Sequence, residues 1–96
     1  MNHNKQEIYN KIVEFLKSKG ATKVAVFGSY VRDEEKIDSD IDIMVDFLKP
    51  IDLFDIVGIE QDLSENLGLR VDLLTEADIS PYIIADIKNN MKILFQ

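Results

Sequence analysis

Three aspartates and a glycine–serine pair are the residues of this sequence whose types and spacing could do chemistry. Gly28-Ser29 is followed, after ten intervening residues, by Asp40-Ile41-Asp42, and Asp72 stands further along the chain. Aspartate is depleted in strands, and two aspartates two apart on an extended segment point to one side, where their like charges repel. A divalent cation offsets that repulsion directly. Mg²⁺ is a hard ion that takes one or two carboxylates together with water and phosphate oxygens in octahedral geometry, and Asp40 and Asp42 suit that task. Asp72 alternates with Val71 and Leu73, so a neighbouring strand would bring a third carboxylate to the same face. Gly28 permits a tight turn and close backbone approach to a ligand, and Ser29 adds a hydroxyl and an amide donor. Should a short helix begin there, its free N–H groups and positive dipole end would favour the terminal phosphates of a nucleotide.

The elements that position these residues are legible from periodicity. Ile8, Tyr9, Ile12, Val13 and Leu16 recur at helical spacing over Gln6 to Lys19, and Gly20 stands where that helix would end. Lys23 to Phe27 reads as a buried strand running into Gly28-Ser29. Tyr30 to Glu35 is expected to form a short helix. Ile41, Ile43 and Val45 alternate with Asp40, Asp42 and Met44, a period of two that marks a second strand with opposed faces. Asp52 to Asn66 places Leu53, Phe54, Ile56, Val57, Glu60, Leu63 and Leu67 in helical register, with Gly68 as the C-terminal cap. Leu69 to Thr75 gives a third strand, and Ser80-Pro81 opens a helix expected to end near Asn89-Asn90. Met91 to Phe95 is expected to be a fourth strand. The order predicts one α/β (α+β) domain over residues 1–96, a mixed sheet of about four strands with helices packed on one face.

Composition narrows the partners. With 18 acidic against 11 basic residues the formal charge is −7, opposite in sign to what grips nucleic-acid phosphates, so direct nucleic-acid binding is disfavoured. There is no cysteine, hence neither a disulfide framework nor a thiolate metal site. No apolar run is long enough to span a bilayer and the first residues lack a signal peptide's apolar region, so no membrane partner and a cytoplasmic location are the expectation. Ninety-six residues leave little room for a second binding lobe.

Gly28-Ser29, ten residues and Asp40-x-Asp42 resemble the signature of the DNA polymerase β-like nucleotidyltransferase superfamily. Within it, the short length and the order helix, strand, Gly-Ser, strand with paired aspartates, helix, strand with Asp72 resemble the minimal nucleotidyltransferases, or MNT domains, commonly partnered with HEPN-domain toxins. The resemblance implies the nucleotidyltransferase fold, with Gly28, Ser29 and Arg32 holding the triphosphate of ATP. Asp40 and Asp42 would bind two Mg²⁺ ions, and Asp72 would complete the metal site and help activate the acceptor hydroxyl. It further implies transfer of AMP from ATP to a tyrosine of a HEPN toxin. The family often continues the turn as Gly-Ser-x-Ala-Arg-Gly, whereas here it runs Gly28-Ser29-Tyr30-Val31-Arg32-Asp33, so Val31 and Asp33 depart from the pattern.

Other readings stand beside these. Arg32 could contact phosphate or pair with a nearby carboxylate, and Arg70 could pair with Asp72 or with phosphate. Asp33-Glu34-Glu35 reads as a solvated loop, the alternative being an acidic surface that docks on a basic partner. Ser39 could simply shape the turn before the second strand, and His3, the single histidine, is expected to be inert. Two further functions are an antitoxin that masks its toxin without catalysis and a small-molecule nucleotidyltransferase acting on an aminoglycoside-like hydroxyl.

Overall fold

The computed structural model describes residues 5–36 and 39–96. His3 lies outside the described residues. Helix α1, Lys5–Ser18, buries Ile8, Tyr9, Ile12 and Leu16 on one stripe and ends in a turn at Gly20, whose φ of 93° is open to glycine. Strand β1 is Ala21–Phe27 and β2 is Ile41–Phe47. Helix α2, Leu53–Leu67, is capped at its start by the Asp52 side chain, which accepts from the Asp55 N–H, and at its end by Gly68 in the left-handed region. Strand β3 is Val71–Thr75; helix α3, Pro81–Asn90, opens on a Ser80 cap with Pro81 in its first turn; strand β4 is Lys92–Phe95. Expected and observed element bounds agree to within about two residues, the ordinary fraying of element ends.

The sheet order is β3-β2-β1-β4. β1 runs antiparallel to β2 and to β4, while β2 and β3 are parallel, so the sheet is mixed as expected. Val24, Val26, Ile41, Ile43, Val45, Val71 and Leu73 alternate onto one face and form a single core with α1 and α2. Ile12, Leu16, Ile43 and Leu63 are completely buried there, and truncating any one to alanine costs about 2–5 kcal/mol. That core sets the other face: residues between the core positions, Asp42 and Asp72 among them, project away from α1 and α2.

One expectation is corrected. The segment after Gly28 is not a helix over Tyr30 to Glu35 but a three-residue 3₁₀ turn, Gly28–Tyr30, closed by Val31 N–H donating to Gly28 O. Asp33 takes φ 56°, a left-handed conformation that a continuing helix excludes. In α2 the buried stripe is Ile56, Ile59, Leu63 and Leu67, whereas Leu53 and Phe54 are 70% and 87% exposed. A helix lying on a sheet buries one stripe, and this sequence carries more apolar residues than the stripe holds.

Candidate active site

The site forms where β1 ends and β2 and β3 begin. In the antiparallel pair Phe27 lies opposite Asp42, which brings the Gly28 backbone directly beside the Asp42 side chain. Gly28 has φ 78°, and a Cβ added to it would stand 2.3 Å from Asp42 Oδ2. Conformation and space therefore both require glycine at this position. Across the parallel pair Asp42 is in register with Asp72, so the two carboxylates lie on one face of adjacent strands. Asp40 precedes β2 and is 42% exposed; its Oδ1 lies 3.5 Å from Arg70 Nε. Arg70 thus meets Asp40, a partner not expected for it from the sequence.

The electrostatics single out Asp42. Partial burial, then the neighbouring charges of Asp72 and Asp40, hold its carboxyl above the usual carboxylate range, with Arg32 pulling the other way. A half-buried carboxylate facing others is a place where bound cation relieves a standing repulsion. The hard-oxygen donor set fits Mg²⁺, which needs only one or two protein carboxylates when phosphate oxygens complete its shell. Among the described residues, however, no group of three acidic or imidazole side chains is arranged to chelate an ion. Asp40 is turned towards Arg70, so the three-carboxylate arrangement expected from the sequence is not preformed.

Ser29 follows Gly28 in the turn, and its carbonyl accepts from the Glu34 N–H at 2.9 Å. Arg32 Nε donates to Glu34 Oε1 at 3.0 Å, which is the carboxylate pairing weighed against a phosphate contact. Asp33-Glu34-Glu35 is not a freely solvated run. Lys5 Nζ contacts Asp33 Oδ1, donates to Tyr30 O at 3.0 Å and lies 2.7 Å from Glu35 Oε1. The buried Glu35 oxygen has no aligned hydrogen bond, so its Lys5 contact is an ion pair. These partners raise the Lys5 ammonium above its ordinary range and lower the exposed Asp33 carboxyl below its own. The Asp33 side chain is 84% exposed and pairs with Lys5, which offsets part of its repulsion for a triphosphate, the same ammonium being shared with Glu35. Ser39 Oγ accepts from the Lys36 N–H at 2.7 Å.

Three residues at the site were missed from the sequence. Lys5, at the start of α1, is joined to the turn across more than twenty positions, and no local pattern announces that. Glu60 and Ser64 of α2 bond to β3 on either side of Asp72. Glu60 did carry a signal, since it is a charged residue in register with apolar ones.

Comparison with known proteins gives the family. The nucleotidyltransferase domain family matches residues 9–94. A relative from Methanocaldococcus jannaschii, named "Putative protein adenylyltransferase MJ1217", is 42% identical over 88 residues, covering 90% of each chain. Among solved structures, a toxin–antitoxin complex with AMP-PNP contains a chain matching at TM-score 0.84 and 27% identity, over 91% of this chain and 72% of that one. A complex of tri-AMPylated Shewanella oneidensis HEPN toxin with MNT antitoxin matches at TM-score 0.80 and 26% identity, over 96% and 72%. With the glycine turn, the in-register aspartates and the family match over nearly all of its length, this chain belongs to the nucleotidyltransferase domain family.

Proposed function

We propose that this chain transfers AMP from ATP to a tyrosine hydroxyl of a HEPN-domain partner protein. The observation that carries the reading is the meeting of Gly28 with Asp42, a backbone without room for a Cβ beside a carboxylate in register with Asp72. Such a junction lets phosphate approach the main chain while carboxylates gather on its other side. The relative named as an adenylyltransferase supports the reaction, and the neighbour containing a tri-AMPylated HEPN toxin supports the acceptor.

Gly28 and Ser29 would receive the triphosphate, with Arg32 available to it on leaving Glu34. Two Mg²⁺ ions held by Asp40, Asp42 and Asp72 would supply neutralisation of charge on the phosphates and on the attacking and leaving oxygens. The phenol oxygen attacks the α-phosphorus and forms the new O–P bond; the bond from that phosphorus to the bridging oxygen breaks and pyrophosphate leaves. Asp72, the most open of the three carboxylates, takes the phenol proton. The partner brings the acceptor, and the reaction takes place in the cytoplasm.

Intact-mass measurement after incubation with Mg²⁺, ATP and the HEPN partner tests the reading, with a gain of AMP on the partner expected. Asp72→Asn keeps a similar shape and an oxygen but loses the charge, so Mg²⁺-ATP binding should persist while transfer falls by about 10²-fold. Equal ATP affinity with Mg²⁺ and with excess chelator would reject the site.

A further inference from the structure

Asp72 sits on β3, which is an edge strand of only five residues. One side of that strand is held by β2, beginning where Ile41 N–H donates to Arg70 O. In a parallel pair, successive residues turn their backbone groups to alternate sides, so the N–H groups of Val71 and Leu73 face away from β2. An edge strand ordinarily leaves such donors to water and frays. Here helix α2 accepts both. Val71 N–H donates to Ser64 Oγ at 3.1 Å, and Leu73 N–H donates to Glu60 Oε2 at 2.8 Å. Glu60 and Ser64 are one helical turn apart, which matches the two-residue step between the donors they meet.

We infer that Glu60 and Ser64 are positioning residues of the transfer reaction, with α2 standing in for a missing strand and fixing Asp72 opposite Asp42. The two bonds bracket Asp72 on its immediate neighbours, so its backbone is held by β2 on one side and by α2 on the other. Neither side chain reaches the reacting atoms; both act through the register of β3. A shift of about 1 Å at a reacting group costs up to about 10²-fold in rate, so a frayed β3 would slow transfer without emptying the nucleotide site. The inference rests on the role proposed above for Asp72.

The test uses the full chain with its HEPN partner and Mg²⁺-ATP, comparing Glu60→Ala, Glu60→Gln, Ser64→Ala and Asp72→Asn. Glu60→Ala should lower kcat by roughly 10- to 100-fold while KM for ATP stays within about twofold. The Leu73 amide should exchange faster with deuterium. Glu60→Gln, whose carbonyl oxygen still accepts from Leu73 N–H, should retain most of the parental kcat. Added to Asp72→Asn, Glu60→Ala should cost nothing further, because the group it positions has already been disabled. Ser64→Ala removes only a hydroxyl and carries the test should Glu60→Ala fold poorly; it should slow transfer and speed exchange at Val71. Parental transfer by Glu60→Ala and Ser64→Ala beside an impaired Asp72→Asn overturns this inference alone, as does equal loss in Glu60→Gln and Glu60→Ala. Parental transfer by Asp72→Asn overturns the reading of Asp72, and this inference with it.

Discussion

Gly28 and Asp42 share one small volume, and each constrains what the other can be. A side chain at Gly28 must adopt φ 78° and meet Asp42 Oδ2 at 2.3 Å. Gly28→Ala is therefore expected to lose about 1–3 kcal/mol of stability and to abolish transfer. The companion Gly28→Ala/Asp42→Ala removes the clash but keeps the unfavourable φ, so thermal melts should show partial recovery of Tm with no recovery of activity. An unchanged Tm in the single variant would show that the turn has freedom to move off Asp42. Asp42 supplies a second prediction through its ionisation. Its folded carboxyl titrates above the unfolded value, so in that window the folded chain binds more protons and stability falls as pH rises. At neutral pH the charge on Asp42 is a net cost to the apo fold. Asp42→Asn should thus melt at or above the parental temperature at neutral pH, lose that advantage on acidification through the window, and fail to transfer AMP. A marked drop in apo Tm at neutral pH would instead make Asp42 a structural residue.

The elements divide into those a local pattern announces and those only tertiary contact explains. Asp40, Asp42 and the alternation of Ile41, Ile43 and Val45 were readable because a strand's period of two is local, and Gly20 and Gly68 marked helix ends for an equally local reason. The turn after Gly28 was misread because its shape is set from a distance by Lys5. From α1 that ammonium reaches Tyr30 O, Asp33 and Glu35, and so gathers a left-handed Asp33 into the loop beside the site. Period alone likewise could not tell which apolar residues of α2 face the sheet, nor that Glu60 turns towards the edge of β3. Lys5→Met keeps much of the stem and removes the charge, and it is expected to loosen this turn. Deuterium exchange should accelerate at the Glu34 amide, which is bonded to Ser29 O, and Mg²⁺-ATP affinity should fall. The pH dependence has a definite sign: Asp33 titrates below its ordinary value, so its pairing stabilises the fold above the unfolded pKa and is lost as pH falls through the folded one. The Tm difference between Lys5→Met and parent should therefore narrow towards acid. A difference that is constant or widens there would exclude the Lys5–Asp33 pairing as its source.

At the scale of the molecule, the chain is small and acidic, with a radius of gyration of 12.6 Å and a formal charge of −7. Among the described residues, helices α1 and α2 pack on the sheet to build one core and hold the aspartates in register, and no helix is long and apolar enough to cross a membrane. In the function proposed above, the acceptor hydroxyl arrives on a partner protein and is marked covalently. This distinguishes an enzyme from a mask. A masking protein neutralises its partner one for one, because each copy stays bound, whereas a transferase leaves a covalent mark and is free to act again. With the HEPN partner in large molar excess over this chain, Mg²⁺ and ATP should drive nearly all partner molecules to the AMP-bearing mass, with loss of partner activity following the same time course. Asp42→Asn should still bind the partner, since Asp42 lies within the site, yet protect only a stoichiometric fraction. Partner inactivation that stops at one equivalent of the parental chain, without a mass change, and is reproduced by Asp42→Asn would identify a mask and sink the transferase reading.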